Sequence, residues 1–400
     1  MRRMAILGAA VAIGLGVLTT ASTAQVPQTP DGWTGTWSAS PGTGVADTPG
    51  GYPDYSIRNV VHTSAGGAKA RVRLSNRFGT APLIFGHVTV AVAAAPGSPR
   101  AASGTVRSLT FGGQRSVVVP AGADVLSDPA AVRVPADADL LVTTFVPAKS
   151  GPVTYHAAAE QTSFFTRDGD FTAEESGASF TEKTGAWHYV TEVDVQGAAA
   201  GAVVTLGDSI TDGTGSTPGT DHRWPDLLSD RLHGRYGVLN AGIGGNRMLL
   251  DVPGSPYGPN ALARFDHDVL AATGVRTLII LEGINDIQQQ PNQTDPQLLI
   301  SAQRQLIARA KAHGIRVLGA TLVPFKGWAA YNETLENTRE TLNRFIRTGG
   351  AYDGVIDFDA AIRNPADPHA MLPAYDAGDH LHPNDAGYRR MADSVNLGLL

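Results

Sequence analysis

At Gly197-Ala198-Ala199-Ala200-Gly201 the hydrophobic texture of this 400-residue chain changes, and no other feature constrains the fold as much. From Asp31 to about Gln196, apolar residues come in short alternating runs broken by Gly, Pro, Asp and Ser. Ala70–Leu74 alternates strictly, and His87–Ala93, Ser116–Val119, Leu140–Val146, Val153–Ala157 and Trp187–Val195 behave similarly. A period of two, frequent turn signals and no amphipathic stretch of helical length predict an all-β sandwich or jelly roll. Beyond the small-residue stretch the apolar runs become nearly continuous, at Ala202–Leu206, Gly237–Asn240, Thr277–Leu281, Arg316–Leu322 and Val355–Phe358. Helical patterns separate or follow them at Trp224–Leu232, Ala261–Ala272, Pro296–His313, Tyr331–Arg347 and from Asn384 to the terminus. Apolar strands alternating with helices predict an α/β domain whose parallel sheet is covered on both faces. Two cores also suit the length, which exceeds what one core usually organises.

The first residues read as an export signal. Arg2 and Arg3 precede an apolar run from Met4 to about Leu18, and Ser22-Thr23-Ala24 offers small residues for cleavage. Gly8, Gly14 and Gly16 interrupt that run, which falls short of the roughly 20 residues a membrane-spanning helix needs. The expected organisation is therefore a signal peptide over 1–24, a β domain over 25–196, a linker over 197–201 and an α/β domain over 202–400, in a secreted protein exported by the general route. The chain has no cysteine, so disulfides and thiolate metal sites are excluded. Loss of residues 1–24 removes two arginines and no acid, taking the net charge from −6 to −8. That balance argues against nucleic acid or an anionic membrane as the main partner.

Four short motifs carry chemistry, and three of them follow predicted strands of the second half. In such sheets ligands bind beyond the carboxyl ends of the strands. Gly207-Asp208-Ser209-Ile210-Thr211-Asp212-Gly213 places a serine on a tight strand-to-helix turn, although Asp208 and Ser209 also suit simple helix capping. Neither a dinucleotide glycine pattern nor a phosphate-loop lysine accompanies it. Asn240-Ala241-Gly242-Ile243-Gly244-Gly245-Asn246 lets the backbone approach a ligand and aim an N–H at it. Gly283-Ile284-Asn285-Asp286 puts a side-chain amide at a strand end, where it can donate to a developing oxyanion. Asp379-His380-Leu381-His382-Pro383 leaves His382 on a loop with a carboxylate three residues earlier. A carboxylate so placed can orient an imidazole towards a serine.

In this order the four segments resemble the signature blocks of the SGNH, or GDSL, hydrolase superfamily, over roughly Ala202 to Leu400. The resemblance implies a flavodoxin-like hydrolase domain with Ser209 as nucleophile, His382 as general base and acid, and Asp379 as its orienting partner. It implies an oxyanion hole made by the Ser209 N–H, the Gly245 N–H and the Asn285 amide, with Gly244 the alternative to Gly245. No cofactor or metal is implied. Trp33–Trp37 and Val72–Asn76 are similar to a secreted bacterial branch with a β domain in front, whose members are described mostly as arylesterases or acylhydrolases. The implied activity is hydrolysis of short acyl esters, such as acetyl groups on extracellular polysaccharide or aryl esters. A lipase or phospholipase of the same chemistry is the alternative, and a glycan-binding protein with an inactive second domain is another.

Ile210, Met248, Ile284 and Leu381 adjoin these blocks and are candidates for an acyl pocket. The loops Asp251–Asn260 and Pro324–Tyr331, the latter with Phe325 and Trp328, follow strands at the same end, where an aromatic ring can stack on a sugar or aryl group. Carbohydrate is also a candidate partner for the β domain. Asp379, His380, His382 and Asp385 include metal-ligand types, but four ligands so close in sequence rarely converge, so no metal is expected.

Overall fold

The computed structural model describes residues 30–44, 50–252 and 255–400. The expected signal over 1–24 lies outside them. No helix among the described residues is long and apolar enough to cross a membrane.

The first half is built from antiparallel strands. One sheet orders Trp33–Ser38, Val190–Gln196, Lys69–Ser75 and Asp124–Leu126 side by side. A larger sheet has Tyr55–Thr63 and Ala138–Val146 at its centre, paired from Tyr55↔Val146 to Thr63↔Ala138. Val72, Leu74, Val193 and Val195 from the first sheet and Ile57, Val61, Val88, Leu140 and Val142 from the second share one apolar core. β-branched side chains fit such half-buried pleated surfaces. Tyr55–Thr63 is a strand that alternation alone does not reveal, because it buries polar residues as well. Arg58, on that strand, donates to the Thr143 hydroxyl and to the Pro99 and Glu174 carbonyls, and Asn59 exchanges hydrogen bonds with the His188 backbone. Satisfied in this way, buried polar groups lose little by leaving water.

The main sheet of the second half has five strands among the described residues: β1 (Ala202–Gly207), β2 (Gly237–Gly242), β3 (Val275–Leu281), β4 (Arg316–Ala320) and β5 (Gly354–Ile356). They are parallel, in the order β2-β1-β3-β4-β5. Every residue of β1 is buried, whichever way it points, as a strand covered on both faces requires. The register sets Gly207 beside both Gly242 and Leu281, so the carboxyl ends of β1, β2 and β3 are level. The strand order reverses around β1, which is where this topology opens a crevice.

Helices include α1 (Ser209–Asp212), α2 (Trp224–Leu232), α3 (Ala261–Phe265), α4 (Ile284–Gln288), α5 (Pro296–Ala312), α6 (Glu333–Thr348), α7 (Phe358–Ile362) and α8 (Asp385–Ser394). The expected helix over Ala261–Ala272 changes after Phe265 into a π-helical turn, Asp266–Leu270. The expected strand over Val355–Phe358 stops at Ile356, because the Asp357 side chain accepts from the Ala360 N–H and starts α7.

The two halves meet along β2, the edge strand next to β1. Trp33–Ser38 lies over it, with the Ser38 hydroxyl donating to the Asn240 carbonyl at 3.2 Å, and nearby the Gly35 N–H donates to the Thr273 carbonyl and the Val238 N–H to the Ser64 hydroxyl. A Cβ on Gly237 would stand 1.9 Å from the Gly35 carbonyl oxygen, so this approach requires glycine. Covering an edge strand in this way blunts its exposed pairing groups.

Candidate active site

Beyond the level ends of β1, β2 and β3 the chain builds a cleft from three consecutive turns. Asp208 is extended, and its carboxylate accepts from the Ile210 N–H at 3.0 Å, so β1 passes directly into α1. Gly213, in the left-handed region, ends the helix after one turn. Ser209 is thereby held as the first residue of α1, where its N–H lacks an acceptor within the helix.

The Ser209 hydroxyl lies 2.8 Å from His382 Nε2, and His382 Nδ1 lies 2.6 Å from Asp379 Oδ2. The other Asp379 oxygen accepts from the N–H groups of Leu381 and His382, which fixes the loop ahead of α8. Burial favours the neutral Asp379 carboxyl, but the hydrogen bonds from the His382 ring and these N–H groups outweigh it and hold its pKa below the ordinary value. Asp379 thus remains a carboxylate able to orient an imidazole. A serine joined to an imidazole that is itself held by a carboxylate can act as a base-assisted nucleophile.

The glycine turn after β2 faces this chain. Gly244 donates its N–H to Asp212 Oδ2 at 2.8 Å. The Gly245 N–H has no such acceptor among the described residues, and Gly245 lines the cleft beside Ser209 and Asn285. Gly245 has φ +74°, and a Cβ there would fall within 2.7 Å of the Tyr257 ring. Asn285, in the first turn of α4, gives one amide N–H to the Asn246 carbonyl, while its oxygen accepts from Gln288 and Gln289. One amide hydrogen stays free to donate. The geometry distinguishes the two glycines, since only Gly245 has an uncommitted N–H.

Beneath the cleft lies a cluster of buried charge that sequence reading does not single out. Arg264, fully buried on α3, donates to the Gly207 and Ala241 carbonyls, the Asn246 side chain and Asp268. It ties together the ends of β1 and β2. Burial, reinforced by Asp286, pushes the Asp208 carboxyl up to about 7. Burial likewise raises Asp286 to about 6, against N–H donation from Met248 and Leu249, and Glu282 well above its usual range.

The cleft has a volume of about 590 Å³. Of the proposed pocket residues, Leu381 and Trp328 line it, and the Trp328 ring meets the His382 ring edge-on at 6.1 Å. Ile210, Met248 and Ile284 do not. They are buried in the core of the α/β domain. Ile210 and Ile284 are helical neighbours of Ser209 and Asn285, and successive residues on a helix point about 100° apart. Phe325 is likewise buried, whereas Val252 and Tyr257 of the preceding loop reach the cleft. Gln288, Gln289 and Gln290 also line it and carry no motif signal beyond three consecutive amides. His380 pairs with Asp376 at 2.6 Å, and Asp385 with His222 at 2.9 Å, so these two turn away from His382.

Residues 205–390 match the model of the GDSL-like lipase/acylhydrolase family. Among solved structures, a GDSL-like lipase from Bacteroides thetaiotaomicron is 20% identical, with a TM-score of 0.39, over 50% of this chain and 87% of that one. A carbohydrate acetylesterase from Sinorhizobium meliloti is 18% identical, with a TM-score of 0.36, over 48% of this chain and 94% of that one. An acetyl xylan esterase is 22% identical, with a TM-score of 0.37, over 48% and 96%. No curated protein matches the chain. The family match thus spans residues 205–390, the part of the chain that holds Ser209, Gly245, Asn285, Asp379 and His382.

Proposed function

We propose that this protein is a secreted serine ester hydrolase that cleaves short acyl esters through an acyl-enzyme on Ser209. The observation that carries the reading is the hydrogen-bonded series Ser209–His382–Asp379, which opens on the same cleft as Gly245 and Asn285. In the first half-reaction the Ser209 oxygen bonds to the acyl carbon as its proton passes to His382 Nε2. The carbonyl oxygen becomes an oxyanion facing the Ser209 N–H, the Gly245 N–H and the free amide hydrogen of Asn285. Collapse breaks the ester C–O bond, and the alcohol leaves with the proton returned by His382. Water then repeats the sequence on the acyl-enzyme, with His382 again taking and returning a proton.

The cleft lining supports a small acyl group on a polar or aromatic alcohol. Val252 and Leu381 are its aliphatic side chains among the described residues, whereas Gln288–Gln290 offer amides and Tyr257 and Trp328 offer rings. Acetyl groups on an extracellular polysaccharide fit that chemistry, as do simple aryl esters. Secretion rests on the signal pattern of residues 1–24.

Hydrolysis of p-nitrophenyl esters from acetate to palmitate, with wild type beside Ser209→Ala, tests the reading. The expected result is a short-chain optimum and no turnover by the variant. An optimum at long chains would make the protein a lipase. A folded wild type inert on every ester would overturn the hydrolase reading.

A further inference from the structure

Asp212, three residues after Ser209, is buried and spends both carboxylate oxygens. Oδ2 accepts from the Gly244 N–H at 2.8 Å. Oδ1 lies 2.9 Å from Nε2 of His156, a residue of the β domain. His156 ends the short strand Thr154–His156 and is itself buried against Trp187. Its Nε2 also faces the Ala158 carbonyl at 3.1 Å, and its Nδ1 faces the Ser40 carbonyl at 2.8 Å. Both ring nitrogens therefore meet only acceptors, and both bonds form only when the ring carries two protons. Burial disfavours that charge, but Asp212 and the hydrogen bonds outweigh it, and the His156 pKa is raised. Arg223 also acts on Asp212 electrostatically, yet its guanidinium is fastened to Asp226 through two nitrogens.

The glycine turn depends on this connection. The Gly242 N–H goes to the Asn240 side chain, the Gly244 N–H to Asp212 and the Asn246 N–H to the Ile243 carbonyl. These bonds hold the peptides on either side of Gly245 and leave its N–H to the cleft. Without the His156 ring the Asp212 carboxyl would lose the partner that fixes its orientation, and the Gly244 N–H would no longer meet an acceptor held in place.

Building on the proposed ester hydrolysis, we propose that His156 is a positioning residue for that reaction, supplied by the β domain: as an imidazolium it holds Asp212, which holds Gly244 and so aims the Gly245 N–H at the oxyanion. The β domain then completes the oxyanion hole without touching substrate.

The test uses the full chain and p-nitrophenyl acetate, with wild type, Ser209→Ala, His156→Gln, Asp212→Asn, the double variant and His62→Gln. His62 joins the same two domains through Asp221 but does not contact Asp212. We expect His156→Gln to lower kcat by about 10- to 100-fold, with KM changed by less than about threefold. The affinity of a phenylboronic acid, whose Ser209 adduct puts an oxygen in the hole, should fall by the same factor as kcat/KM. Asp212→Asn should lose at least as much as His156→Gln, and the double variant no more than Asp212→Asn. If His156→Gln does not fold, Asp212→Asn carries the same readouts with the shape of the side chain kept. A kcat within twofold of wild type in the folded variant would overturn the inference. So would an equal loss in His62→Gln, which would mean that any damage at the domain junction has this effect. Activity retained by Ser209→Ala would overturn the hydrolase reading and this inference with it, whereas loss in Ser209→Ala alone overturns only the inference.

Discussion

The α/β domain carries Ser209, Gly245 and Asn285 just beyond the ends of adjacent parallel strands, and His382 just ahead of α8. The β domain meets that machinery through the buried side chain of His156, held between a carbonyl of its own domain and Asp212 of the other. The difference is one of range. In the α/β domain a level register brings three local turns together, and each turn is built by its own residues. In the β domain the relevant contact exists only across the junction. Chemistry therefore concentrates in one domain, while the other contributes fixed charge and covers the β2 edge.

This comparison has measurable consequences. The largest belongs to the serine: Ser209→Ala should lower kcat by about 10⁴–10⁶ with the fold intact, read by p-nitrophenyl acetate turnover beside circular dichroism. A smaller loss would remove the nucleophile from the α/β domain. Asn285→Ala should cost about 10²–10³ in kcat, as removal of one oxyanion donor does elsewhere. An unchanged kcat would leave the hole to the two backbone N–H groups.

Trp328→Ala should cost about two- to tenfold in kcat/KM, because the ring abuts His382 edge-on and its Nε1 donates to Gln288 without touching the reacting atoms. A loss equal to that of Asn285→Ala would put Trp328 inside the machinery.

The smallest effect on catalysis belongs to His62, at the domain junction but away from Asp212. His62→Gln should leave kcat within about twofold and change only how stability depends on pH. His62 Nδ1 faces Asp139 at 3.0 Å and Asp221 of the other domain at 3.3 Å, and Nε2 faces Asp137 at 3.1 Å. Burial lowers its pKa, but Asp139, Asp221 and Asp226 outweigh burial and raise it to about 9. A raised pKa stabilises the fold fully below the unfolded value of 6.5 and loses that stabilisation as pH rises towards 9. Asp221, raised to about 6 chiefly by burial, works in the same direction at lower pH. From pH 6 to 9, wild type should therefore lose up to about 3 kcal/mol relative to His62→Gln, measured by denaturant titration. Equal pH slopes for the two proteins would break the assignment of His62 to the junction.

What the sequence by itself determined is what short-range signals encode. The alternating runs before Gln196 and the nearly continuous runs after Ala202 distinguish antiparallel from parallel sheet, because the first has a period of two and the second is buried on both faces. The four blocks could be read as one constellation because strand, turn and helix start lie within a few residues of each other. Asp208, Ser209, Asn285, Asp379 and His382 all sit in such turns.

Tertiary structure alone decided the rest. Gly244 and Gly245 are adjacent and alike, and only the Asp212 carboxylate commits one N–H and leaves the other free. Ile210, Met248 and Ile284 adjoin the motifs yet point into the core, since the direction of a side chain depends on the rotation of its helix or turn against the sheet. Gln288–Gln290 reach the cleft because the end of α4 and the turn after it border the cleft. The strand Tyr55–Thr63 was hidden by Arg58 and Asn59, whose partners lie far away in sequence. The same holds for His156, which lies 56 residues from Asp212. Its meaning depends on the docking of two domains, and local periodicity carries no information about that.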